Sequence, residues 1–363
     1  MKILVVTDAW TPHGHNVVQS LVELVRQLQA DGHEAQVIHP GQFRHLAGPS
    51  WLGMDLALLP QRRLEERIRA LTPDAIHIAT EGPLGWAARR VCRRLGLGYT
   101  TTWWSRLPQR LQRHLRLPES LTTRWLLRLH RDARRVLVPS QAQLERLLTA
   151  GVSQARAWVP GVDTRLFAPR AEPVGHGPLG PLAHPVSLYV GQVALDQHIE
   201  DFLRLDLPGS KLVCGSGADK ARLRHRYPNV HWLGFLPRPV LAQVYAAADV
   251  LVHPGRGDEP SPVVLEALAC GTPVAAYPVQ GMVQLIGQTR SAALQADLRD
   301  AWHEALRIAP HEARQHAMRF AWPRASERFV AELHVNSTGP RMAPGGSFQG
   351  SARQTRAASR LAT

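Results

Sequence analysis

Short β-branched runs alternate with helical periodicity along nearly the whole chain, the pattern of parallel βαβ construction. In the first half, residues 3–6, 35–39, 56–59, 75–78, 99–102 and 136–138 are predicted as buried strands. Between the first two, residues 17–30 carry Val18, Leu21, Val22, Val25 and Leu28 on one helical face. That pattern stops at Asp31-Gly32, where glycine can take the left-handed conformation that ends a helix. Residues 170–185 break the rhythm with four Pro and three Gly, as an interdomain linker does. The alternation then restarts, with strands predicted at 187–190, 211–214, 231–233, 250–253 and 273–276, and helical patterns over 294–334 close the globular part.

This organisation is α/β throughout: a first Rossmann-like lobe over 1–169, the linker over 170–185 and a second lobe over 186–334. Residues 335–363, rich in Gly, Ser, Pro and Arg without apolar periodicity, read as a disordered tail. Two doubly wound units face each other across a cleft, with ligands expected at the carboxyl ends of the strands.

Composition narrows the function classes. Every apolar run is cut by Asp, Glu, Arg or Pro well short of the ~18 residues a membrane span requires. The apolar run 3–6 is too short for a signal peptide, and Cys92, Cys214 and Cys270 lie too far apart for a disulfide framework or a clustered zinc site, so a cytoplasmic protein is expected. The formal charge of +14 invites a nucleic-acid reading. Lysine, however, occurs only at 2, 211 and 220 and Asn only at 16, 229 and 336, a skew that GC-rich coding explains more simply, and no nucleic-acid partner is expected. The charge is also uneven, since residues 104–135 hold nine Arg against Glu119 and Asp132, which points to a local surface patch.

Candidate chemistry collects where predicted strands end. Gly191-Gln192 follows one strand and leads to a helix opening near Gln197, while Gly215-Ser216-Gly217 follows the next. After His253-Pro254 comes a polar loop ending in Asp258 and Glu259, then Ser261-Pro262-Val263 at the start of a helix that carries Glu266. Ser261 suits an N-cap and Pro262 a first helical position, and a helix start aimed into a cleft is a ready site for a diphosphate. Asp258 and Glu266 add acceptors for sugar hydroxyls. No G-x-S-x-G elbow is present, and the 18 histidines form no carboxylate-supported metal cluster.

These stretches resemble the retaining, nucleotide-sugar-dependent glycosyltransferases of the GT-B fold, family 4-like and closest to bacterial mannosyltransferases. The likeness extends over residues 1–334 and is carried by 5–12, 76–85, 161–167, 188–191 and 206–211, and above all by 265–276 with its acid pair. It implies that Asp258 contacts the transferred sugar and Glu266 the nucleotide ribose. Gly191, Gln192, Gln197, Gly215, Ser216, Gly217, Ser261 and Val263 then line the donor side. Asp8, His13, Gly14, His15, Asn16 and Glu81 line the acceptor side, and Trp104 and Arg106 stand at family positions beside the reacting sugar. No cofactor or metal is implied beyond the co-substrate, a GDP- or UDP-linked sugar.

The departures from the family pattern are grouped. An Arg and a Lys that grip the donor diphosphate in the family are Gln192 and Gln197 here, and proline 262 lacks an N–H that would otherwise face the phosphate. A sugar-contacting His becomes Trp104, and an Asn-Gly turn becomes His15-Asn16. His13 and His15 could replace the lost cations or bind metal, with polar loop residues as the plainer expectation. The expected activity is transfer of a hexose, mannose among the candidates, to a lipid or glycan hydroxyl with retention. The competing expectation is a catalytically degenerate relative that binds sugar, nucleotide or a partner protein. Arg124, Arg128, Arg131 and Arg135 recur at helical spacing beside Leu121, Trp125 and Leu129, the arrangement of a helix resting peripherally on an anionic membrane, with an ordinary solvated helix face as the alternative.

Overall fold

A computed structural model of the chain describes residues 1–10, 16–49, 52–104, 107–169, 182–257 and 260–336. Its first sheet contains β1 (Lys2–Val6), β2 (Glu34–Ile38), β5 (Ala75–Ile78), β6 (Thr100–Thr102), β7 (Arg135–Val138) and β8 (Ala155–Ala157). These run in the order β2-β1-β5-β6-β7-β8 with every pair parallel. The second sheet contains β9 (Val186–Val190), β10 (Ser210–Cys214), β11 (His231–Gly234), β12 (Val250–His253), β13 (Val274–Ala276) and β14 (Ala292–Leu294), ordered β11-β10-β9-β12-β13-β14 and again parallel. The order reverses between β1 and β5 and between β9 and β12. Crossovers leave each of those pairs in opposite directions, so a crevice opens at their carboxyl ends.

The helix Asn16–Ala30 buries Val18, Leu21, Leu24, Val25 and Leu28, one position different from the predicted stripe, with Leu24 replacing the half-buried Val22. Gly32, at φ +82°, ends it. The predicted strand at 56–59 is not part of the sheet. Only β4 (Leu56–Ala57) forms, as an antiparallel partner of β3 (His45–Leu46), and Leu59 beyond it is 97% exposed with a left-handed backbone before Pro60. The edge strands β8 and β14 escaped prediction because Ala155-Arg156-Ala157 and Ala292-Ala293-Leu294 contain no β-branched residue.

The largest departure concerns the end of the chain. The helix Trp322–Glu332 belongs by packing to the first lobe, not the second: Trp322, Ala325, Phe329 and Leu333 join Ile3, Val5, Leu21, Leu24, Leu28 and Trp158 in one core. The apolar underside of β1 and β5 needs this cover, and Phe329 supplies it, fully buried with its ring 5.4 Å from Trp158 and 4.8 Å from His77. Trp158 Nε1 donates to Ala325 O at 3.0 Å. The first two residues of the predicted tail are also ordered onto this lobe. Val335 bridges Ala75, and Asn336 accepts from Gly98 N at 2.7 Å, donates to Gly98 O at 3.0 Å and sends its own N–H to Asp74 O. The remainder of that tail lies outside the described residues.

The chain therefore passes between the lobes twice, and the two passes pair. Val162 N donates to Phe320 O at 2.8 Å and Trp322 N to Val162 O at 3.3 Å, a parallel bridge between Val162 and Ala321. Gly161 has no side chain because the Trp322 backbone and ring occupy the space a Cβ would need.

Phe329→Ala leaves a cavity that neither Trp158 nor His77 can fill without moving. It should destabilise the protein by about 3–5 kcal/mol in urea denaturation, whereas a cost below about 1 kcal/mol would show that the helix is an appendage rather than part of the first core.

Candidate functional site

At the carboxyl end of β9 the chain turns through Gly191, and its loop touches the loop after β10 along the backbone. Gly191 N donates to Cys214 O and Val193 N to Ser216 O, both at 3.0 Å. A Cβ on Gly215 would collide with the Gly191 carbonyl, and one on Gly217 with the Val193 carbonyl. Close approach of two loops thus accounts for Gly215 and Gly217 without a phosphate, and Ser216 contributes a carbonyl to the same contact. The Gln192 carbonyl accepts from Tyr189 Oη at 2.8 Å, while its side chain is exposed. Gln197 closes the single 3-10 turn Leu195–Gln197, with Nε2 donating to Asp196 Oδ1 at 3.2 Å.

Across the switch point, Ser261 precedes the helix Pro262–Ala269. The predicted side-chain cap is not made; the Ser261 carbonyl accepts Val264 N at 3.1 Å instead. Val263 lies in the first turn, and Glu266 one turn on is buried. Its Oε1 accepts from Arg238 Nη1 and its Oε2 from Tyr245 Oη, both at 3.1 Å. Burial pushes the Glu266 carboxyl up, and the Arg238 charge is the largest influence opposing it. Tyr245 is pushed well up by its own burial and, next, by the Glu266 charge. The Arg238 guanidinium lies 4.9 Å from the Phe167 ring centroid and also donates to Gln19 Oε1 of the first lobe at 3.2 Å. Asn16, Gln19, Gly161, Arg238, Pro262, Glu266 and Trp322 border a cavity of about 30 Å³ between the lobes. That is room for a water molecule or two.

Beyond β12, Arg256 lays its guanidinium over the Tyr277 ring, 4.3 Å from the centroid, and reaches Asp201 Oδ2 at 3.4 Å. Tyr277 Oη donates to the same oxygen at 3.0 Å. Neither Arg238 nor Arg256 was singled out from the sequence, where each is one of 40 arginines. The only available signal was position: Arg238 opens the helix Arg238–Ala247, and Arg256 sits just past a predicted strand.

The first lobe differs more from expectation. Asp8 follows β1 and is buried inside the turn that starts the helix Pro83–Leu95. Oδ1 accepts from Leu84 N at 2.7 Å, and Oδ2 from Gly85 N at 3.2 Å and Thr80 Oγ1 at 3.0 Å. A Cβ on Gly82 would strike this carboxylate. Asp8 is therefore a helix cap and offers little to an acceptor. Burial still pushes its carboxyl up to about 6, with these donors working in the opposite direction. Glu81 also turns inward, with Oε1 3.4 Å from His130 Nε2, and His130 Nδ1 meets Thr101 Oγ1 at 2.9 Å. The Trp104 indole N–H is spent on Ala79 O at 2.9 Å, so only its ring is left for a sugar face. Asn16 is exposed at the start of its helix and borders the cleft. His13, Gly14, His15, Arg106 and Asp258 lie outside the described residues.

The basic stripe is shorter than predicted. Arg124, Arg128 and Arg131 are exposed on the helix Glu119–Arg131, but Arg135 begins β7 and reaches Glu332 at 3.5 Å. Leu129 is buried in the lobe, whereas Leu121 and Trp125 are 59% and 42% exposed, the latter stacked on Trp86 at 4.6 Å. No helix among the described residues is long and apolar enough to cross a membrane.

Two family descriptions match the two lobes: Glycosyltransferase Family 4 over residues 17–166, and Glycosyl transferases group 1 over residues 187–309. The chain is 30% identical to a GDP-mannose-dependent alpha-mannosyltransferase of Mycobacterium tuberculosis over 316 residues, 81% of this chain and 83% of that one. A Corynebacterium glutamicum protein of the same description is 26% identical over 79% of this chain and 75% of its own. Among solved structures, sucrose-phosphate synthase from Thermosynechococcus elongatus superposes with a TM-score of 0.68 at 19% identity, covering 91% of this chain and 98% of that one. Anabaena HepE in complex with UDP gives 0.67 at 16% identity, covering 91% and 99%.

The Asp8 geometry carries a pH dependence. Because the folded state raises this carboxyl from its ordinary 3.8 to about 6, the folded protein binds the proton more tightly than the unfolded chain. Stability from this group is complete below pH ~4, is lost as pH rises to ~6, and is level above that, a change of about 3 kcal/mol. Asp8→Asn removes the titration. Denaturation midpoints across pH 4–7 should show the wild type losing stability relative to the variant, and a constant difference would contradict the assignment.

Proposed function

Because the chain belongs to the family 4 glycosyltransferases and has their two-lobed GT-B fold, we propose that it transfers a mannosyl group from GDP-mannose to a hydroxyl of a lipid or glycan acceptor with retention at the anomeric carbon. The donor choice is supported by the relatives described as GDP-mannose-dependent alpha-mannosyltransferases. The observation that carries the site is Glu266, a carboxylate held at the cleft by Arg238 and Tyr245, bordering the inter-lobe cavity.

In the proposed reaction the bond between the sugar C1 and the diphosphate oxygen breaks, a bond from C1 to the acceptor oxygen forms, and the acceptor proton passes to the departing diphosphate. No protein base is needed. The protein supplies positioning of the two substrates and stabilisation of the leaving charge. Loss of one such stabilising donor typically costs about a hundredfold in rate, so with neutral Gln192 and Gln197 turnover depends on another group reaching the diphosphate. An acceptor that is a lipid fits the exposed Leu121 and Trp125 beside Arg124 and Arg128, which would rest on an anionic surface.

Titration calorimetry with GDP-mannose and a UDP-sugar, followed by assay of released nucleoside diphosphate, tests this reading. GDP-mannose should bind more tightly than the UDP-sugar and be turned over with a lipid or glycan acceptor. Glu266→Gln should weaken donor binding at least about fivefold with the fold intact, because the neutral amide oxygen is a weaker partner for ribose hydroxyls and for Arg238. Binding without turnover would establish the degenerate relative instead, and unchanged affinity in the variant would remove the ribose contact.

A further inference from the structure

We infer that Arg256 is the side chain that grips the donor diphosphate, taking over from a different strand the charge that Gln192 and Gln197 do not supply. The inference rests on the donor reading above and adds to it a residue that the family pattern does not mark.

Position comes first. β9 and β12 are neighbours across the switch point, paired at Val250 with Ser187 and at Leu251 with Leu188. Arg256 follows β12, Asp201 sits on the helix Ile199–Leu203 that the β9 loop feeds, and Tyr277 directly follows β13. The guanidinium thus spans from the β12 loop to the β9 helix. It bridges the carboxyl ends of the two strands between which a ligand of a doubly wound sheet lies. Gln197, which stands where a family cation would, is four residues before Asp201 on the same segment.

The hold on Arg256 is firm in orientation and loose in charge. Stacking on Tyr277 fixes the plane of the guanidinium while leaving its N–H rim accessible, and the side chain is 54% exposed. Its carboxylate partner is shared: Asp201 Oδ2 takes Tyr277 Oη at 3.0 Å and Arg256 Nη2 only at 3.4 Å. A charge-assisted bond at full strength is about 2.7–2.9 Å. A diphosphate oxygen can therefore displace Asp201 from Arg256 while Tyr277 keeps Asp201 satisfied.

Four other described arginines are placed for different work. Arg238 is committed to Glu266 and Gln19. Arg113 reaches Asp196 from the first lobe at 3.5 Å and is largely exposed, so its distance from the donor loop changes whenever the lobes part. Arg204 and Arg226 both pair with Glu200. Arg256 alone among these five is carried on the donor lobe, oriented by a ring and bonded weakly to its carboxylate.

The test compares nucleosides that differ only in phosphate. Calorimetry of the full chain with guanosine, GMP and GDP, and with the uridine series, measures the contribution of the second phosphate directly. Arg256→Gln should lower affinity for the preferred diphosphate at least about tenfold, the scale of a lost hydrogen bond to a charged group, and leave the nucleoside within about twofold. Arg256→Lys should recover part of the loss, and Arg256→Gln combined with Gln192→Arg should recover most of it. Unchanged diphosphate affinity in Arg256→Gln overturns the inference while leaving the donor reading intact. Equal losses for nucleoside and diphosphate also overturn it, since they mark a staple that merely shapes the loop. A wild type that binds no member of either series overturns both.

Discussion

Glu266 is a charge removed almost entirely from water, and the geometry of the cleft follows from how the fold tolerates it. Arg238 and Tyr245 each supply one hydrogen bond, so neither carboxylate oxygen is left bare. Removing one partner of a fully buried pair typically costs about 3–5 kcal/mol; with Arg238 30% exposed, the cost here is smaller. The same Arg238 reaches Gln19 on the opposite lobe. One guanidinium therefore holds this carboxylate and also joins the two lobes. Its contact across the lobes, to Gln19, is to a neutral amide, whereas the one to Glu266 within its own lobe is charge-assisted. The weaker bond is the one that spans the lobes.

The lobes are also joined through the chain itself, at the paired crossings of Val162 and Ala321. Two backbone hydrogen bonds join the outgoing and returning chain, with Trp322 packed over Gly161. The returning chain then docks the helix Trp322–Glu332 under the first sheet, so the second lobe is tethered at both ends to the first. The cavity beside Glu266 is bordered by Gly161 and Trp322 themselves. The paired crossings and the buried carboxylate are thus adjacent.

The parts of this fold that were legible in the sequence are those where one physical signal dominates. Most buried parallel strands are dense in Val, Ile and Leu, with β6 built from the β-branched Thr100–Thr102 instead, and all the central ones fall within a residue or two of prediction. Edge strands made of Ala and Arg carry no such signal, and the stretch 56–59 looked like a strand only because Leu56, Leu58 and Leu59 are apolar; the latter two are exposed. The destination of the last helix was hidden for a different reason. Its stripe of Trp322, Ala325, Phe329 and Leu333 announces that a face is buried, but periodicity does not say against which lobe. At the site, family resemblance marked Glu266 while leaving its partners dark, since Arg238 gains meaning only when folding brings it to a carboxylate 28 positions away.

Asp8 and Glu266 show why matching a motif does not assign a job. Both are acids near the carboxyl end of a switch-point crevice, both are buried, and in both burial drives the carboxyl upward. They differ in what faces them. An ionised carboxylate has about four acceptor sites. Asp8 spends three on Leu84 N, Gly85 N and Thr80 Oγ1, all within the turn it caps, and Gly82 closes over it with no room for even a Cβ. Glu266 has one described donor on each oxygen, from side chains rather than backbone, and it borders the inter-lobe cavity. The two acceptor sites that this leaves match the two vicinal hydroxyls of a ribose on the donor reading. Backbone donors bind a carboxylate into the fold, whereas side-chain donors hold one ready while leaving part of its capacity for something that arrives later.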